Sequence, residues 1–172
     1  MDTLTISQYS AFNFFCNRCT IERTDLHSHQ FIEIAYVASG KGVHIVQGQE
    51  REVAAGSIVL VNLGTAHQFV AKKQPFTVIN CVFTSDFLND SLSNTDGFEK
   101  IVKYCFPSFV LEEKTNVISI NLMGNEKADA ANLYYHMEEE FYKKLPGSME
   151  LLRSDITHLI VTLLRQSSQP DN

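Results

Sequence analysis

Between Leu26 and Phe83 the chain falls into short runs of β-branched and aromatic residues, each closed by a glycine or a Gly-rich turn. Residues 29–38 end at Ser39-Gly40-Lys41-Gly42, and residues 43–47 end at Gly48. A short run at 51–53 precedes Gly56, residues 58–61 precede Gly64, residues 67–70 follow, and Pro75 opens the run from Phe76 to Phe83. Side chains of these types suit a pleated, half-buried surface, while glycine reaches the turn conformations that other residues avoid. Strands of this length at a spacing of roughly 8–12 residues predict an all-β sandwich or small barrel, with 43–53 as a hairpin.

The flanks differ. Residues 1–24 set Phe12, Phe14, Phe15 and Ile21 among polar residues, which predicts an extended arm or one or two short strands before a barrel unit spanning 25–122. After Asp86 helical patterns appear, with Asp96 as N-cap of a helix through Tyr104 that Pro107 ends. The alternation from Val117 to Leu122 predicts one more strand. A helical pair then occupies 126–166. In its first helix, from Glu126 to Lys144, Leu133, Tyr134, Met137, Phe141 and Leu145 recur at helical spacing, with Glu138–Glu140 as the solvated side. Pro146-Gly147 breaks it, and a second helix starts after Ser148 as N-cap. There Leu152, Ile156, Leu159 and Leu163 are spaced four, three and four apart, the seam of a coiled coil. Such a face needs either the body of the domain or a second subunit, and the seam spacing points to a homodimer interface. Residues 167–172 read as the start of a linker.

Composition excludes several classes of function. Hydrophobic residues make up 44% and charged residues 20% of the 172, ordinary for one soluble globular domain. The net charge of −6, with no basic cluster, argues against nucleic-acid binding by these residues themselves, because neutralised phosphates supply most of that affinity. Neither a secretory leader nor an apolar run long enough to span a bilayer is visible, so no membrane partner and a cytoplasmic location are expected. Cys16, Cys19, Cys81 and Cys105 then read as reduced thiols, and the CxxC at 16–19 as coincidence without a second pair.

The chemistry concentrates in His27, His29 and Glu33, at i, i+2 and i+6 of one run, with His67 at the end of another. Alternation puts the first three on one face of a strand, so three imidazoles and a carboxylate can converge on one cavity. Imidazole and carboxylate suit Zn, Ni, Mn or Fe. The other reading is a polar barrel mouth whose groups hydrogen-bond a small molecule or one another. Phe31, Ala35 and Val37 share the inward face, Phe69 shares the parity of His67, and Tyr36 points the other way. His44 either lines the cavity or faces solvent.

These spacings resemble the two motifs of the cupin superfamily. His27, His29, Glu33 and Gly40 fit HxHx3Ex6G at every gap, and Gly56, Gly64 and His67 fit Gx5PxGxxHx3N. Asn62 and Ala71 depart from the second motif, and Ile21 stands where a glycine usually precedes the first. The resemblance implies a jelly-roll β-barrel, mainly β, with two C-terminal α-helices, and a metal site formed by His27, His29, Glu33 and His67. The stretch from His27 to Gly48, with Gly56–Asn62 and Thr65–His67, is similar to the N-terminal sensor and dimerisation domain of AraC-type transcription regulators, above all their rhamnose-regulator branch. That resemblance covers residues 25–166. It implies a barrel that binds a small effector, often a sugar, in the cavity of the motif residues His27, His29, Glu33 and His67, to which strand parity adds Phe31, Phe69 and His44 as expected pocket residues. It implies dimerisation through Leu152, Ile156, Leu159 and Leu163, and DNA contact only through a helix-turn-helix domain absent from this chain.

Two functions follow. One is a non-enzymatic sensing domain of a transcription regulator, needing no cofactor though able to hold a divalent transition metal. The alternative is a metal-dependent cupin enzyme, a dioxygenase or an isomerase. The helical pair at 126–166 favours the sensor, because a small catalytic cupin has no evident use for it.

Overall fold

The glycine-punctuated runs are strands. The computed structural model describes residues 3–5, 13–84, 86–88 and 117–167. The strands are β1 (Thr3–Leu4), β2 (Phe14–Ile21), β3 (Ser28–His29), β4 (Ile32–Ser39), β5 (Lys41–Val46), β6 (Gln49–Ala54), β7 (Ser57–Val61), β8 (His67–Ala71), β9 (Phe76–Phe83) and β10 (Val117–Asn121). Two helices follow, α1 (Gly124–Lys143) and α2 (Ser148–Ser167). The helix expected from Asp96 to Tyr104, Cys105 and the linker-like residues 168–172 lie outside the described residues.

A five-stranded sheet in the order β10-β7-β4-β9-β2 faces a three-stranded sheet in the order β6-β5-β8. Alternation sorts the side chains of the larger sheet. Ala35, Val37, Val59, Val61, Phe76 and Val78 point inward and pack with Val53 and Phe69 of the smaller sheet. Ile34, Tyr36, Ile58, Leu60, Ile79 and Cys81 point outward, under α1 and α2. With both faces covered, β7 (Ser-Ile-Val-Leu-Val) is buried at every position, which is why its sequence is apolar without alternation. Tyr36 stacks on Tyr134 of α1 with ring centroids 5.0 Å apart, on the outer side as its parity predicts.

One glycine is required by close approach. A Cβ on Gly42 would lie 2.6 Å from Phe76 Cε1 and 2.7 Å from Val70 O, so only a bare backbone lets the Phe76 ring enter the barrel there. The ring is fully buried and meets Phe69 edge-on at 6.2 Å.

The structure moves several boundaries and roles. Of the two readings of residues 1–24, strands rather than an arm hold for Phe14–Ile21: it pairs along its whole length with β9, Phe14 opposite Phe83 and Ile21 opposite Phe76, so the sheet begins before residue 25. Cys16 and Cys19 fall on opposite faces of β2. Cys16 Sγ lies 3.2 Å from Cys81 Sγ, whereas Cys19 Sγ donates to Val78 O, so the CxxC offers no paired thiolates. Thr3–Leu4 adds a parallel strand to β3, with Gln30 N–H donating to Leu4 O.

The expected dimer seam is consumed inside the chain. Leu152, Ile156, Leu159 and Leu163 are each 0–1% exposed and pack on α1 and the outer face of the larger sheet. Each burial of this kind contributes about 1.5–3 kcal/mol to folding, which the isolated fold already gains. Spacing alone marks an apolar stripe and says nothing about what covers it. Ser148 lies within α2 rather than before it, and its hydroxyl donates to Glu140 of α1. Glu138 is likewise engaged, gripped at both carboxylate oxygens by Arg18 of β2. His136, given no role from sequence, bonds Asp155 across the helix pair at 2.6 Å.

Candidate functional site

At one end of the barrel the apolar lining gives way to imidazoles. His29, Glu33, His44 and His67 are buried, His27 is half-buried, and they come from β3, β4, β5, β8 and the chain just before β3. Backbone pairing fixes their mutual placement. His27 N–H donates to His67 O and His67 N–H to His27 O, while Gly64 N–H donates to His29 O and ties the 62–66 turn to β3. His44 lies opposite Phe69 in the β5–β8 register and stacks on it at 4.4 Å, which settles its direction: inward. Phe31 stacks on His29 at 4.3 Å with the rings 3° from parallel, and packs with Val82.

The side chains form a row. His29 Nδ1 lies 2.7 Å from Phe31 O, His29 Nε2 lies 3.1 Å from His67 Nε2, and His67 Nδ1 lies 3.0 Å from His44 Nε2. Glu33 Oε2 sits 3.4 Å from His29 Nε2 and 3.7 Å from His67 Nε2. His27 Nδ1 lies 2.8 Å from Asp25 O. A carbonyl oxygen only accepts, so a neutral His29 and His27 each carry their proton on Nδ1 and leave Nε2 as a lone pair. Asn80, on the inward parity of β9, completes the floor with a hydrogen bond to Glu33.

Burial governs the charge states. It pushes His44 and His67 down to about 3, His44 further depressed by His67 and His67 by His27 and His29. His29 is also lowered, chiefly by burial and against the pull of Glu33. Glu33 is raised by burial, with His29, His27 and Asn80 opposing. The close approaches of His29 and His67 to Glu33 are therefore those of mainly neutral imidazoles rather than ion pairs.

The arrangement fits a divalent transition ion. His27, Glu33 and His67 each bring a ligand atom within 4.8 Å of the others. The His29, His67 and Glu33 atoms are separated by 3.1, 3.4 and 3.7 Å, close to the roughly 3.0–3.4 Å expected between ligands with bonds of about 2.0–2.1 Å. Each imidazole also has its other nitrogen held by an outer partner, the usual orienting pattern of metal-binding histidines. Apart from the metal question, His44 Nδ1 and Asn80 Oδ1 are buried without a partner among the described residues, polar atoms available to a ligand.

All seven residues expected at the pocket, His27, His29, Glu33, His67, Phe31, Phe69 and His44, gather at this end. Asn80 was missed, although a lone amide at the inward parity of an apolar strand was a readable signal. Leu4 was missed too; it packs with Phe31 and Val82 through a two-residue strand too short to show a pattern. A separate cleft of about 220 Å³ lies between the helices, lined by Glu126, Asp129, Leu133, His158 and Arg165, and includes none of the barrel histidines.

The family model described as "AraC-like ligand binding domain" matches residues 18–108, more than half of the chain. The chain belongs to that family. Its match begins within β2 and takes in the whole histidine site. A comparison with curated proteins returned no match. Among solved structures, apo ToxT K231A from Vibrio cholerae strain SCE256 aligns with a TM-score of 0.63 at 13% identity, over 90% of this chain and 56% of that one. Wild-type ToxT of the same strain with bound unsaturated fatty acid aligns at 0.61 and 13%, over 89% and 55%. The chain thus spans just over half the length of these ToxT chains, and the likeness covers the helical pair as well as the barrel. A cupin 2 conserved barrel protein from Salinispora arenicola CNS-205 aligns over 45% of this chain and 69% of its own, at 21% identity and a TM-score of 0.41. Among the described residues, no helix is long and apolar enough to cross a membrane.

Proposed function

We propose that the chain is the effector-sensing domain of an AraC-type transcription regulator, and that its effector binds at the end of the barrel formed by His27, His29, Glu33, His44 and His67. The observation that carries this is that His44 Nδ1 and Asn80 Oδ1, beside the imidazole row, are buried with no partner among the described residues, in a member of a ligand-binding family. Polar atoms withdrawn from water without a partner destabilise a fold, and a ligand that pairs them recovers that loss. ToxT has been solved with an unsaturated fatty acid. The imidazole and amide floor here suits a small polar effector, such as a sugar or a short acid, better than an acyl chain.

The ring-nitrogen pattern favours a second component: a Zn, Ni, Mn or Fe ion held by His27, His29, Glu33 and His67. Bound there, it would supply a Lewis-acidic contact for an effector oxygen, while the protein's own residues orient the effector and exclude water. DNA contact is assigned to a module outside these residues, since a net charge of −6 argues against phosphate binding by the domain itself. Pairing of two copies is assigned to the outward stripe of α2, on which Leu151 and His158 are exposed, and not to the buried seam.

A thermal-shift screen of sugars and small carboxylic acids, with and without Zn2+, tests the reading. A ligand at a hundred times its Kd adds about 2.7 kcal/mol. At least one hit should be lost in Glu33→Gln. Hits that survive in that variant place the effector elsewhere, and O2-dependent turnover by Fe-loaded protein would favour an enzyme.

A further inference from the structure

Three imidazoles face Glu33, but their outer partners are not alike. His27 Nδ1 meets Asp25 O and His29 Nδ1 meets Phe31 O, carbonyls that only accept. His67 Nδ1 meets the Nε2 of another histidine, His44, which can either donate or accept.

The difference matters because His67 must exist in two forms. Without a metal, the lone pair on His29 Nε2 faces His67 Nε2 at 3.1 Å, and a bond between them requires the proton on His67 Nε2. His67 Nδ1 is then a lone pair, and His44 Nε2–H donates to it. With a metal, His67 Nε2 must give up its proton to offer a lone pair. The proton then sits on Nδ1, and His44 Nε2 has to accept it. A backbone carbonyl at that place would forbid the first form, and an ammonium or a backbone amide the second.

We propose that His44 is a positioning residue that lets His67 exchange its ring proton between Nε2 and Nδ1, so that the His67–His44 hydrogen bond is kept with or without a divalent transition ion. This rests on the metal-bearing reading of the site given above. His44 is well placed to hold one orientation throughout. It is fully buried, stacked on Phe69 at 4.4 Å, and set T-shaped to His67 at 5.2 Å. Its outer nitrogen, Nδ1, has no partner among the described residues, so either nitrogen can carry the proton without breaking another bond. The exchange moves two protons along the row and changes no net charge. It also reverses His44 Nδ1 from acceptor to donor, so ion occupancy changes which effector atoms that nitrogen can bind.

Two measurements on the whole chain test this. Two-bond 1H–15N spectra of the metal-free wild type should show His67 and His44 protonated at Nε2, and saturating Zn2+ should move both protons to Nδ1. Calorimetric titration with Zn2+ should show affinity reduced roughly 10–100-fold in His44→Phe, which keeps the stack on Phe69 but offers no acceptor. His44→Gln, whose amide can donate or accept, should restore affinity towards wild type. Circular dichroism establishes that both variants fold, and the wild-type spectra need no variant. Equal Zn2+ affinity in His44→Phe, or an unchanged His67 tautomer in Zn2+-saturated wild type, overturns the assignment of His44 alone. Failure of folded wild type to take up Zn2+ overturns the metal reading and this inference with it.

Discussion

His29 and His67 bring their Nε2 atoms to within 3.1 Å of one another from β3 and β8, with Glu33 of the larger sheet beside both. Two like nitrogens at that distance need a proton or a metal between them. The barrel places this demand in an interior where burial holds the rings neutral, so occupancy of the site and the hydrogen-bonding of the fold are linked. A sensing domain needs such a link if ligand is to shift a population of conformations.

Stability should fall as the medium becomes acidic. Free imidazole titrates near 6.5, while His44 and His67 are held at about 3. With the folded value depressed, the unfolded chain binds more protons between the two. The contribution is intact above 6.5 and is lost as pH drops towards 3. At pH 5 this amounts to roughly 2 kcal/mol for either histidine. Glu33, raised above its usual value, acts with the opposite sign: its contribution is present at low pH and lost as pH rises through its folded value. It offsets part of the effect. Urea melts in chelator at pH 5 and pH 7.5 should show the weaker fold at pH 5, with a smaller difference in His44→Phe. A flat profile would contradict the burial of neutral imidazoles.

The helical seam should behave as core. Leu159→Ala should lower stability by about 2–5 kcal/mol, by the same amount at protein concentrations tenfold apart. Ile156→Asp and Leu159→Asp should unfold the chain rather than release folded monomers. Leu151→Asp, on the outward stripe, should leave folding intact and lower any self-association seen in sedimentation. A concentration-dependent loss in Leu159→Ala would return the seam to an intersubunit role.

The Gly42–Phe76–Phe69–His44 line carries packing to the site. Gly42→Ala would drive a methyl into the Phe76 ring and Val70 O, costing roughly 1–3 kcal/mol. Phe76→Leu should relieve part of that cost, a coupling measurable in a double-mutant cycle. Additive losses would mean that the ring is not what confines Gly42.

Legibility in the sequence followed the strength of the local pattern. The strands from β4 to β9 were readable because glycines cut apolar runs of strand length. His27, His29 and Glu33 were read as one face of a single strand; a break at residues 30–31 separates His29 on β3 from Glu33 on β4, yet their side chains still converge with His67. β2 was obscured because it alternates between two buried or half-buried faces, Phe14 and Cys16 on one and Phe15 and Cys19 on the other, among polar residues. His44 could not be oriented from Val43 and Ile45 alone, since Val43 and His44 are buried on opposite sides of β5; its register against Phe69 decides it. The stripe on α2 was visible, but its covering surface is set by tertiary packing that no helical period encodes.

The most direct test of the effector site is imidazole NMR of the wild-type chain, titrated with any small polar molecule that raises its melting temperature. Shifts are expected at His29, His44 and His67 and none at His158, which lines the cleft between the helices. Shifts confined to His158, with the barrel histidines unmoved, would contradict it.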